Sequence, residues 1–173
     1  MHQKTSVWLI ILIFIIAMPS IVRAQEDYLI IIRLSEFKLV LMANDGTSQE
    51  YVVATPTTTP KSLPVEATVR SVQINPSWNP TAPTREAYLR RTNMELPISI
   101  KPGDPRNAMG RGIIRLNYLV PGSMDPNVVI HGTNDEKSIG KKVSRGCIRM
   151  HNDDIEKIIR IIQNKKTKVI FAE

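Results

Sequence analysis

His131-Gly132-Thr133-Asn134 is followed closely by Ser144-Arg145-Gly146-Cys147-Ile148-Arg149-Met150, with the cysteine sixteen positions after the histidine. Cys147 is the only cysteine in the 173 residues. With nothing to pair with, it has no use as a staple, and it becomes a candidate nucleophile if folding brings the histidine to it. The same residues also admit a reading without chemistry, in which a small buried thiol lies near a hydrogen-bonded histidine at the end of a strand.

Outward from this pair, the preceding sequence is strand-like. Tyr28 to Arg33 and Phe37 to Met42 are apolar or β-branched runs, Asn44-Asp45-Gly46 supplies a turn, and Glu50 to Ala54 resumes the pattern, which predicts a meander of hairpins. Thr55 to Pro64 is rich in proline and threonine and reads as a loop. A strand is expected over Ala67 to Ile74, although its polar and apolar residues alternate imperfectly. After the irregular stretch from Asn75 to Pro83, Thr84 is expected to cap a short helix running to about Asn93. Pro97 to Gly112 reads as a further loop, and a long irregular middle of this kind more often forms a lid or substrate wall than an idle connection. Strands resume at Ile113 to Leu116 and Val128 to Ile130, so His131 falls at a strand's end. Beyond the cysteine, Asn152 is expected to cap a helix whose Ile155, Ile158, Ile159 and Ile162 form one apolar face, before a last strand over Lys168 to Phe171. The fold class is therefore mainly β with one or two helices, an α+β domain.

The N-terminus has its own logic. A short positive start, an unbroken apolar run from Val7 to Met18, and Val22-Arg23-Ala24 have the form of a signal peptide cleaved after Ala24. The run is short for a membrane span, which needs about 20 apolar residues, so contact with a membrane is expected only through an uncleaved signal segment. Residues 1–24 are assigned as the signal peptide and 25–173 as one domain, placed in the periplasm or cell envelope. Removing the signal leaves 21 basic and 16 acidic side chains, a net charge of +5. That excess suits an anionic envelope as well as an ordinary solvated surface. Nucleic acid is not an expected partner, because no basic motif interleaved with aromatics is present.

An unperturbed thiol, with a pKa of about 8.5, is only slightly ionised at neutral pH. His131 would supply a base, Arg145 and Arg149 would favour the thiolate, and the backbone N–H groups of Gly146 and Cys147 would offer an oxyanion hole on a tight turn. The residues read as acyl transfer through a thioester.

Taken together, the two motifs and the Asn152-Asp153-Asp154 that follows resemble the signature of the L,D-transpeptidases with the YkuD-type catalytic domain. Asn75-Pro76-Ser77-Trp78 and Ala108-Met109-Gly110-Arg111-Gly112 extend the similarity over most of the mature chain. The resemblance implies a YkuD-like β-sandwich with Cys147 as nucleophile, His131 as general base and Gly132 as the residue whose carbonyl orients the imidazole. It places Ser144, Arg145 and Gly146 around the pocket and Arg149 and Asn134 on the substrate-binding side, with Arg149 as either a clamp for a substrate carboxylate or one half of a structural ion pair, and Asn134 shaping the loop. Arg145 departs from the histidine commonest there. The implied substrates are tetrapeptide stems of peptidoglycan, and the acceptor is a second stem, a wall-anchored protein's lysine or water. No cofactor is implied.

Zinc is not expected from Cys147, His131 and His151, whose spacing matches no common structural site. A disulfide oxidoreductase would require a second cysteine. A non-catalytic wall-binding protein is the alternative from another class.

Overall fold

A computed structural model describes residues 26–173, so the expected signal peptide lies outside the described residues. Strands β1 (Tyr28–Arg33) and β2 (Lys38–Ala43) form an antiparallel hairpin, and β3 (Ser48–Pro56) follows through the Asn44-Asp45-Gly46 turn. Asp45 closes that turn by accepting hydrogen bonds from the Thr47 backbone N–H and hydroxyl, while Gly46 takes a φ of 87°. Next come β4 (Val65–Ile74), α1 (Ala82–Thr92), β5 (Gly112–Tyr118), β6 (Ile130–His131), β7 (Lys142–Ser144), β8 (Ile148–Met150), α2 (Asn152–Ile162) and β9 (Thr167–Ala172).

Strand pairing runs β2-β1-β9-β4-β5-β6-β8-β3 and returns to β2, so eight strands close on themselves and β7 is appended beside β3. The layers of the expected sandwich are thus continuous. The corner is β3, whose first half pairs with β2 while Val53 and Ala54 pair with β8. Inside lie Ile30, Ile32, Leu39, Val53, Ile114, Ile130, Ile148, Val169 and Phe171, all essentially without solvent contact. Each such side chain contributes on the order of 1.5–3 kcal/mol relative to leaving it exposed.

Several boundaries differ from those read in the sequence. β3 extends into the expected loop as far as Pro56, because Thr55 and Pro56 pair with β7 at the outer edge, where a missing N–H is tolerated. The imperfect alternation in β4 has a cause: its register against β5 shifts between Val69 and Ser71, so the side-chain phase changes there. α1 begins at Ala82 after Thr81, and Thr84 sits inside it, its hydroxyl 2.9 Å from that of Thr81. β7 and β8 span three residues each, too short for any periodicity to reveal them.

α2 buries Ile155, Ile158, Ile159 and Ile162 as the spacing requires. Its close seat depends on Gly112, where an added Cβ would lie 2.7 Å from Ile159 Cδ1. Asn152 is the first residue of this helix and not its cap, since His151 takes the capping position and makes no side-chain capping bond. α1 is different: none of its residues is buried, and Thr84, Ala87, Tyr88 and Arg91 face an open cleft instead of a core.

Candidate active site

β6 and β8 are parallel neighbours, with Ile130 opposite Ile148 and His131 opposite Arg149. Side chains two apart along a strand share a face, so Cys147 projects to the same side as Arg149 and His131. Cys147 and His131 line one cleft of about 710 Å3, together with Ser144, Arg145, Gly146, Arg149 and Asn134. The walls come from α1 and the segment after it (Tyr88, Arg91, Leu96), from Pro105 to Met109, and from Asp125 to Val128. The irregular middle of the chain therefore forms cleft wall, as its length suggested.

His131 is buried, and its Nδ1 lies 2.6 Å from the carbonyl oxygen of Gly132. A carbonyl only accepts, so Nδ1 carries the proton and the neutral ring leaves Nε2 as a proton acceptor. Burial drives the His131 pKa down to about 4, reinforced by the Arg149 charge and only partly offset by the carbonyls of Gly132 and Ala108. The Cys147 thiol is half-buried, 4.0 Å from the carbonyl oxygen of Asn127. Desolvation pushes its pKa up, outweighing a backbone hydrogen bond from the Val129 region and the positive charge of Arg149. The expectation that imidazole and arginines ionise the sulfur at rest is thus corrected. Dehydration of both groups favours the uncharged thiol and imidazole, while Arg149 favours the neutral ring and pulls the sulfur only partly toward thiolate.

The cysteine turn is fixed by Ser144. This buried hydroxyl donates to the Cys147 carbonyl at 2.5 Å and accepts from the Gly146 N–H at 3.3 Å. The Gly146 N–H expected in an oxyanion hole is therefore directed at Ser144, while the Cys147 N–H has no partner among the described residues. Gly146 has a φ of 150°, and a Cβ there would sit 3.1 Å from Val128 Cγ2. Arg149 is half-buried and Arg145 exposed, and neither forms an ion pair among the described residues. Asn134 donates from Nδ2 to the Pro105 carbonyl at 3.0 Å, which ties the histidine loop to the opposite wall. His151 faces away from this group and pairs with Glu136.

Sequence reading missed two organising amides. Asn107, buried, donates to the carbonyls of Pro76 and Lys101 and accepts from the Met109 N–H, so it holds the wall segment in shape. Asn152 bonds to the loops on either side of β6. The sequence signal that points to such close approaches is the pair Gly110 and Gly132, but glycine alone does not say what approaches. Gly110 has a φ of 61°, and a Cβ on it would lie 2.1 Å from Asn152 Oδ1 and 2.3 Å from the Thr133 nitrogen. Gly110→Ala is expected to cost about 1–3 kcal/mol, which corresponds to a fall of roughly 3–10 °C in the thermal midpoint for a domain of this size. Calorimetry checks it; an unchanged midpoint would mean that the Gly110 turn relaxes freely.

An imidazole at the end of β6 and a thiol immediately before the parallel strand β8, lining one open cleft in a closed β-sheet, define a thiol–imidazole site. The L,D-transpeptidase catalytic domain, YkuD, matches residues 27–171, and the chain belongs to that family. A probable L,D-transpeptidase of Escherichia coli, ErfK/SrfK, is 42% identical over 89 residues, covering 51% of this chain and 26% of that protein. The chain thus spans about a quarter of the length of that relative. Among solved structures, L,D-transpeptidase 3 from Mycobacterium tuberculosis superposes with a TM-score of 0.58 at 11% identity, over 86% of this chain and 62% of that one. A second structure of that protein, in complex with a faropenem-derived adduct, gives a TM-score of 0.57 at 12% identity, over 86% of this chain and 61% of that one. At such identities the likeness is one of fold.

Proposed function

We propose that the domain is a cysteine-dependent L,D-transpeptidase of the cell envelope, acting on tetrapeptide stems of peptidoglycan. The observation that carries this reading is the buried His131 ring, protonated at Nδ1 by its bond to Gly132 and bare at Nε2, in the same cleft as Cys147. Because the resting pair is uncharged, proton transfer accompanies attack: as sulfur adds to the carbonyl of the third stem residue, His131 Nε2 takes the thiol proton. The tetrahedral oxyanion would be met by the Cys147 N–H, with Arg149 nearby. Collapse expels the terminal D-alanine, whose nitrogen receives that proton from the imidazolium, and a thioester remains. An amine then adds to the thioester, gives its proton to His131, and displaces the thiolate as a thiol. A second stem's side-chain amine gives a 3→3 cross-link, a protein lysine gives an anchored protein, and water gives a tripeptide.

Export by residues 1–24 belongs to the same proposal, and the protein recovered from the cell envelope is expected to begin at Gln25. To test the reaction, the protein is incubated with purified muropeptides and the products are weighed. Dimers joined 3→3 support transpeptidation. Tripeptides alone would indicate a carboxypeptidase, and an unchanged pool with no acyl-enzyme would favour a wall-binding protein.

The absence of an ion-pair partner among the described residues supports Arg149 as a carboxylate clamp. Arg149→Lys keeps the charge but loses the planar fork. It is expected to raise KM for the donor stem about tenfold while kcat falls less, read from initial rates. An unchanged KM would assign Arg149 to shaping the cleft alone.

A further inference from the structure

Asn152 stands where a helix cap was expected, yet its side chain caps nothing and makes four other hydrogen bonds. Oδ1 accepts from the backbone N–H groups of Arg111 at 2.9 Å and Thr133 at 3.2 Å. Nδ2 donates to the Thr133 carbonyl at 2.8 Å and to Glu136 Oε1 at 2.8 Å. Two donors and two lone pairs are the full capacity of an amide. Reversing the amide would set oxygen against oxygen and N–H against N–H, so its orientation is fixed. The space beside Oδ1 exists only because two separate segments place glycine there: a Cβ at Gly110 would lie 2.1 Å from that atom, and one at Gly132 2.4 Å. On the far side, Glu136 is itself held by His151.

The Thr133 N–H belongs to the same peptide unit as the Gly132 carbonyl. A trans peptide is planar, with its C=O and N–H pointing in opposite directions. The unit is trans. Fixing the N–H end therefore fixes where the C=O end points, and that oxygen is the one His131 Nδ1 approaches at 2.6 Å.

We infer that Asn152 is a positioning residue which, through the Gly132–Thr133 peptide, holds His131 in the tautomer with Nδ1 protonated and Nε2 free toward Cys147. This rests on the proposed role of His131 as the base. It assigns to Asn152, twenty-one positions from that histidine and on another element, the task of choosing which nitrogen takes the thiol proton. Without this anchor the peptide can rotate, and the ring is free to take the Nε2-protonated form, which cannot accept.

The test compares the full chain with Asn152→Ala, Asn152→Asp and the double variant Asn152→Asp/Glu136→Gln. The readouts are the imidazole nitrogen NMR spectrum and the rate of acylation of Cys147 by a carbapenem, followed by mass. In the unsubstituted protein His131 is expected to show a protonated Nδ1 and a bare Nε2. Asn152→Ala should move that signal toward the other tautomer and slow acylation about 10–100-fold, the scale typical of losing an outer partner that orients an imidazole. Asn152→Asp keeps the acceptor for both N–H groups but sets an oxygen against the Thr133 carbonyl and a like charge against Glu136, and the second substitution, Glu136→Gln, relieves the charge repulsion alone by supplying an amide. The double variant should therefore regain part of the acylation rate and of the original tautomer relative to Asn152→Asp.

A folded Asn152→Ala protein with the original tautomer, whether acylation is slowed or not, overturns the inference. If Asn152→Ala does not fold, the double variant decides, and failure to recover tautomer and rate relative to Asn152→Asp overturns it. Failure of the unsubstituted protein to turn over muropeptides would count against the proposed function instead, since the tautomer is read without substrate.

Discussion

Cys147→Ala is expected to abolish muropeptide conversion, and Cys147→Ser to reduce it by about 10³-fold or more, equivalent to at least about 4 kcal/mol of lost transition-state stabilisation. Sulfur is intrinsically nucleophilic and gives up its proton to the imidazole as it attacks, whereas a hydroxyl needs a far stronger base than a neutral imidazole held at a pKa of about 4. The serine variant therefore keeps the geometry, including the cleft and the Ser144 clamp on the Cys147 carbonyl, and loses the reactive atom. Stem binding should survive in both variants, since Arg149, Arg145 and the cleft walls are untouched. Mass spectrometry of the products, with a carbapenem adduct on Cys147 as a second readout, checks the result. Turnover by Cys147→Ala above a few per cent would remove the thioester from the mechanism and return the cleft to a binding role.

Much of this was legible in the sequence, for physical reasons that differ by element. β1 and β2 were readable as continuous apolar runs, and α2 because it buries one face fully, so that apolar side chains at i, i+3, i+4 and i+7 are imposed residue by residue. Cys147 and His131 stood out because the chemistry they permit is rare and their flanking residues are specific. The charge preference of the pair was not legible: Arg149 is visible in the sequence, whereas the desolvation that outweighs it at the sulfur and adds to it at the ring depends on how the site is covered. Asn152 was misread for a related reason. An asparagine before an apolar helical run is a good local cap, and only long-range packing shows that the loops around Gly110 and Gly132 claim its side chain instead. α1 was legible from its capping residues and not from periodicity, because a helix that lines a cleft without burying residues has no apolar stripe.

His131→Gln is expected to lower kcat by about 10²–10⁴-fold, the range over which a positioned base contributes, and it also changes how the fold responds to acid. With the folded pKa depressed to about 4 against an ordinary value of 6.5, the unfolded chain binds more protons between those two values. Stability contributed by the neutral buried ring is therefore complete above about pH 6.5 and is progressively lost as pH falls toward 4. The difference corresponds to about 3 kcal/mol. A glutamine at this position cannot titrate, so in urea titrations at pH 7 and pH 4.5 the unsubstituted protein should lose markedly more stability than the variant. The same pKa sets the activity profile: the acid limb of kcat/KM should lie near pH 4, because the base stays unprotonated across the neutral range, and not near 6.5 as for a solvated histidine. An acid limb at about 6–7, combined with equal acid sensitivity of the two proteins, would mean that His131 is hydrated and titrates like a solvated imidazole. The ring would still act as a base above that limb, but the stability that dehydration ties to its neutral form would be lost, and with it the acid-sensitivity difference between the two proteins.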